Sequence, residues 1–242
     1  MIMRMTALAG LAIGIMAMMR AATVARSDDA PAPHREFASA RKALQEVQDF
    51  IGPWDLEGIQ KLGRKTTAWK EKVNWGWKFK DGDAWLTVDF AAGKGKHYSN
   101  GTLKYDLKKK KYILALKGSD RTDQEFEGEP VKGGGLRLDR RDAKTGDVYR
   151  ITMNTLAEGI RYQLRYERQG GGKGQFSTVY TMTGSKEGES IAGTKKKPEC
   201  IVSGGAATIA VSFQGQQFFV CCTGCRDEFN ASPEKYVKAV KK

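Results

Sequence analysis

Histidine is nearly missing from this chain of 242 residues: His34 and His97 are the only two. His34 stands in a polar, proline-bearing stretch and His97 in a Lys-Gly-Lys-His loop, so neither offers a general base beside a nucleophile. The Ser, His and Asp arrangements of hydrolases, a metalloprotease helix and a phosphate-cradling loop are lacking too; Gly133-Gly134-Gly135 and Gly170-Gly171-Gly172 precede no helical pattern and read as turns. These gaps argue against an enzyme. Long apolar runs are also scarce. The longest, Thr6 to Met19, is about 14 residues, short of the roughly 20 that a membrane-spanning helix needs. Cysteine is rarer than in a disulfide scaffold, and all four residues fall between Cys200 and Cys225.

The apolar run follows Arg4 and precedes Thr23-Val24-Ala25, the pattern of a signal peptide cleaved after Ala25. Residues 1–25 are therefore read as a signal peptide, residues 26–35 as a flexible leader, and the protein as periplasmic or secreted. Export removes nucleic acid from the expected partners. The net charge of +13 instead favours weak association with anionic envelope surfaces, although most of it is expected on a solvated face.

Glu36 to Phe50 carries Phe37, Ala40, Leu44 and Val47 at helical spacing, continued by Ile51, which predicts an amphipathic helix. From Gly52 to Gly188 the period changes to two. Val73, Trp75, Trp77 and Phe79 alternate with polar residues, as do Leu86, Val88 and Phe90; Leu103, Tyr105 and Leu107; Tyr112, Leu114 and Leu116; Leu136 and Leu138; Tyr149, Ile151 and Met153; Ile160 to Tyr166; and Phe176 to Met182. Turn signals separate them at Lys80-Asp-Gly-Asp, Ser99-Asn-Gly, Lys108 to Lys111, Lys144-Thr-Gly-Asp and Gly170 to Gly174. Eight to ten antiparallel strands in simple succession must hide their apolar faces, and an up-and-down barrel does so without leaving edges. Lys78, Lys104, Arg137, Arg150, Arg161 and Arg165 would face out. Trp69, Trp75, Trp77 and Trp85 would supply core or line a ligand cavity.

The four cysteines, Cys200, Cys221, Cys222 and Cys225, lie around a predicted hairpin. Val211 to Phe213 and Gln217 to Val220 flank Gln214-Gly215-Gln216, a short helix follows from Arg226 to Asn230, and Ser232-Pro233 starts a last helix reaching Val240. A hairpin brings Cys200 back to the other three. Two chemistries then fit: disulfides, with Cys200 bonded to Cys221 or Cys222, or a thiolate site for Zn²⁺ or Cu(I). Side chains alternate along a strand, so Cys221 and Cys222 cannot both face Cys200. Cys222 is the expected third ligand beside Cys200 and Cys225, with Cys221 joining only after distortion.

Cys200-Ile-Val-Ser-Gly, the strand, Gln216-Gln-Phe-Phe-Val-Cys-Cys-Thr-Gly-Cys225, Phe229 and Pro233-Glu-Lys-Tyr236 together closely resemble the YHS domain, one of the short TRASH-like modules thought to bind or sense heavy metals. Ile201 departs from the proline usual there. The resemblance implies one Zn²⁺ or Cu(I) per chain on the cysteine cluster. Phe50-Ile-Gly-Pro-Trp54 resembles the opening of lipocalin-like proteins, where the Trp plugs one barrel end beneath a short helix. The fold expected is mainly β: a lipocalin-like antiparallel barrel with its N-terminal helix over 36–188, a linker over 189–198, and a small α+β cysteine-rich module over 199–242. The function expected is capture of a thiophilic metal ion. The alternative is a carrier of a small apolar ligand with a disulfide-bonded module, and thiol redox catalysis is a third reading.

Overall fold

The computed structural model describes residues 33–189 and 197–240. The predicted signal peptide, most of the leader and most of the linker lie outside these residues. The first helix, α1 (Pro33–Gln45), is followed by a 3-10 turn at Gln48–Phe50. It starts earlier than the expected Glu36, at a proline that suits a first helical turn, and stops short of Phe50. The apolar register nonetheless holds: Leu44, Val47, Phe50 and Ile51 are all buried.

Ten strands follow: β1 (Gly52–Leu62), β2 (Lys65–Lys80), β3 (Asp83–Phe90), β4 (Tyr98–Asp106), β5 (Lys111–Gly118), β6 (Asp123–Pro130), β7 (Leu136–Arg141), β8 (Val148–Leu156), β9 (Arg161–Gln169) and β10 (Ser177–Lys186). Each pairs antiparallel with its neighbours in sequence, and β10 returns to β1 with Trp54 opposite Lys186, closing the barrel. Strict alternation produces this. In β3 the pattern runs Ala84, Leu86, Val88 and Phe90 inward, and the same register carries Trp75 and Trp77 of β2 into the core.

One expectation about the strands needs correction, and one strand is unforeseen. Ser99-Asn100-Gly101 is not a turn but the start of β4, where the register shifts between Tyr98 and Asn100. Gly101 is there for space, since a Cβ would press on the Leu116 side chain and the Ala115 carbonyl. The acidic strand β6 escapes a hydrophobic search because it buries only Phe126. Its outward Glu127 pairs with Lys109 at 2.9 Å and Lys111 at 3.5 Å, so its polar face meets the basic turn expected at Lys108 to Lys111.

Side chains occupy the barrel interior in aromatic and aliphatic layers. At the end beneath α1, Trp54 donates from Nε1 to the Phe50 carbonyl at 2.7 Å and packs on Tyr162 with ring centres 5.2 Å apart. The Tyr112 hydroxyl donates to the Ala43 carbonyl at 2.7 Å, tying α1 to the barrel mouth. Leu86, Leu103, Leu138 and Ile151 are buried along the strands. Towards the other end, Tyr166 stacks on Tyr180 and Tyr180 on His97. Trp85 stands on the outward, half-buried face of β3, where the Lys104 ammonium lies 4.9 Å from its ring centre.

Near that second end the Glu71 carboxylate is buried. It accepts hydrogen bonds from Trp69 Nε1 at 2.9 Å and the Lys96 amide at 3.1 Å. The loop passes so close that a Cβ on Gly95 would overlap Glu71 Oε1. Burial raises the Glu71 pKa, and the two hydrogen bonds oppose it only in part. The folded chain therefore holds this proton more tightly than the unfolded chain does. Stability from Glu71 is full below the ordinary carboxylate pKa and is lost as pH rises through the elevated one. Glu71→Gln should flatten that fall, measured as urea midpoints between pH 4 and 8; an unchanged slope would assign it elsewhere.

Beyond the barrel come the hairpin β11 (Ile209–Phe213) and β12 (Gln216–Val220), then α2 (Thr223–Ala231) and α3 (Pro233–Val240). The hairpin and α3 match expectation. The turn has φ of 51° at Gln214 and 76° at Gly215, as a tight two-residue hairpin requires. Helix α2 begins before Cys225 rather than after it, with Cys222 at its N-cap.

Candidate metal centre

The cysteines meet where this segment packs on β2. Strand β1 begins at Gly52, opposite Trp75, so β2 runs past it and leaves backbone at Trp77 needing partners. Helix α2 covers that edge. The Trp77 amide donates to Cys222 Sγ at 3.3 Å, and Gly224 sits so close to the Trp77 carbonyl that any Cβ would collide with it.

Cys200 is held from the other side. Its amide donates to the Gly205 carbonyl at 2.7 Å, and the Ile201 amide donates to Phe219 of β12 at 3.0 Å. The turn folds back so that the Ser203 amide reaches Cys200 Sγ at 3.4 Å, while Ser203 Oγ lies 3.3 Å from Cys221 Sγ. Gln45 at the end of α1 donates to the Ser203 carbonyl at 2.7 Å, so barrel cap and cysteine turn support one another. Ser203 is almost completely buried and was not singled out from the sequence. Its only signal there is its place three residues after Cys200, where a turn amide can return to the first sulfur.

The sulfurs of Cys200, Cys221 and Cys225 all lie within 4.8 Å of one another, and Cys221 and Cys225 are 3.5 Å apart. All four cysteines are buried and unbridged. The adjacent pair divides only in part: Cys222 Sγ accepts from the Trp77 amide and also lies within hydrogen-bond reach of the Cys221 and Cys225 sulfurs. The three mutually closest sulfurs are those of Cys200, Cys221 and Cys225, so Cys221 stands where Cys222 was the expected third member. The reason is that Cys222 caps α2 against β2, a role the sequence does not show because the packing partner is about 145 residues away along the chain.

Sulfurs this close cannot ionise independently. Hydrogen bonds from Cys221 and Cys225 push the Cys200 thiol far below its ordinary value, and the amide and hydroxyl of Ser203 add to the effect. The same two cysteines, with the Trp77 amide, lower Cys222 to about 3. Cys221 and Cys225 are pushed up, chiefly by the neighbouring sulfurs to which they give their protons. The four sulfurs therefore share protons unequally, with Cys200 and Cys222 as acceptors and Cys221 and Cys225 as donors.

Cys222→Ala should cost about 1–3 kcal/mol, the penalty for leaving the buried Trp77 amide without an acceptor. Urea unfolding measures it, and Cys222→Ser, which keeps an acceptor, should recover most of the loss. Equal losses in both variants would show that the hydrogen bond is not the cause. No known protein family matches the chain, and no curated protein matches it either.

Proposed function

We propose that this is an exported metal-binding protein in which Cys200, Cys221 and Cys225 capture one thiophilic ion, Cu(I) or Zn²⁺, for handling or sensing. The observation that carries this reading is the convergence of three buried sulfurs within 4.8 Å. A metal–sulfur bond of about 2.3 Å places three trigonal sulfurs about 4 Å apart, so the cluster needs only small shifts to close on an ion. Three thiolates complete a trigonal Cu(I) site, whereas Zn²⁺ would take a fourth ligand such as water. Ser203 would act from the outer shell, orienting both Cys200 and Cys221. The YHS-like pattern and the predicted signal peptide support the same reading, since exported thiols must be either bridged or ligating to stay useful. Elemental analysis of protein purified under reducing conditions, without a chelating tag, should find about one copper or zinc per chain. Protein that carries no metal and takes none up on reconstitution would overturn the proposal.

A further inference from the structure

Between the cysteine turn and the α1 end of the barrel lies a crevice of about 560 Å³. Of the three clustered thiols only Cys221 lines it; Cys221 is 8% exposed, against 2% for Cys200 and 0% for Cys225. An ion reaching the cluster from solvent along this route meets Cys221 first.

The walls carry both signs. The Lys186 ammonium donates to the Asp49 carbonyl at 3.0 Å and lies 4.8 Å from the Trp54 ring centre; the Asp49 carboxylate acts on it only through space, so it keeps donors for a ligand carboxylate. Opposite in character, Gln48 Oε1 is a buried acceptor with no partner, and Asp49 and Glu158 add carboxylates. Lys197 and Glu189 at the rim pair with each other. A buried acceptor without a donor is costly unless something supplies one. A molecule with a carboxylate for Lys186 and an amine or amide for Gln48 satisfies both, and the volume suits a small molecule rather than a protein loop.

We propose that this crevice is the port through which the ion enters and leaves, that Cys221 is the receiving thiol, and that the carrier is a small zwitterionic thiol of the amino-acid or short-peptide class. The inference rests on the metal-binding reading above. In the transfer step the carrier's metal–sulfur bond is exchanged for a bond to Cys221 Sγ. The Cys221 proton passes to the departing carrier thiolate, so the carrier leaves as a thiol and no electron is transferred.

The test is stopped-flow transfer of Cu(I) to the reduced full-length protein from its complex with cysteine, and in parallel from its complex with the uncharged thiol 2-mercaptoethanol. Lys186→Met should slow transfer from the cysteine complex by about tenfold, as loss of a charged hydrogen bond implies, and slow the mercaptoethanol transfer much less. Ala206→Trp, which places a bulky ring on an exposed position of the crevice wall, should slow both. Lys132→Met, far along the chain on the turn before β7, should transfer at the parent rate from either carrier. Parent-like rates from both carriers in both crevice variants would overturn the port. If Ala206→Trp fails to fold, Lys186→Met decides alone through the difference between carriers. A parent protein that takes up no Cu(I) overturns the metal-binding reading itself, a result distinct from uptake at rates blind to the crevice.

Discussion

Trp54→Ala is expected to destabilise the folded chain by about 3–5 kcal/mol, the range for truncating a large buried aromatic residue. Trp54 is completely buried, and it holds three elements at once. Its ring packs against Tyr162 of β9, its Nε1–H bonds to the Phe50 carbonyl, and Lys186 of β10 lies over its face. Alanine would leave a cavity at the barrel end and orphan that carbonyl together. Urea unfolding followed by far-UV circular dichroism would show the loss as a lower midpoint. A change below about 1 kcal/mol would mean that the barrel end is closed by other residues.

Cys225→Ser should cost more than about 100-fold in Cu(I) affinity, beyond the upper end of what changes outside the ligand shell cost. Cys225 is fully buried in the first turn of α2, close to both partner sulfurs. A hydroxyl is a poor ligand for a soft ion, so only two of the three mutually close sulfurs would remain. Competition against a chromophoric Cu(I) chelator measures the ratio. An affinity within a few-fold of the parent would place the ion elsewhere.

The barrel was readable wherever one face of a strand is apolar and the other charged. Val73 to Phe79 and Leu86 to Phe90 reveal both the strand and its inner face, and the Gln214-Gly215 turn marks the last hairpin. Pattern fails where burial is thin or the reason is distant. Strand β6 buries one side chain, so its period is invisible. Ser99-Asn-Gly has the composition of a turn, yet Gly101 serves a close approach between strands. The cysteine cluster was legible as a group, because a hairpin must return Cys200 to the others. Choosing between Cys221 and Cys222 was not, since that depends on the Trp77 amide of a strand edge far back in the sequence. Ile201 shows the same limit: its amide donates to the Phe219 carbonyl, a partner visible only once the hairpin is formed.

The central claim is that three named sulfurs, and not the fourth, hold one ion. Titration of the reduced protein with Cu(I), and separately with Zn²⁺, followed by counting thiols protected from alkylation, tests it most directly when run beside Cys200→Ser, Cys221→Ser, Cys225→Ser and Cys222→Ala. The account predicts that one equivalent of Cu(I) protects Cys200, Cys221 and Cys225 in the parent, that each of the three serine variants loses this protection, and that Cys222→Ala keeps it. Equal protection in Cys200→Ser and the parent, or loss of protection in Cys222→Ala matching the other three, would contradict it.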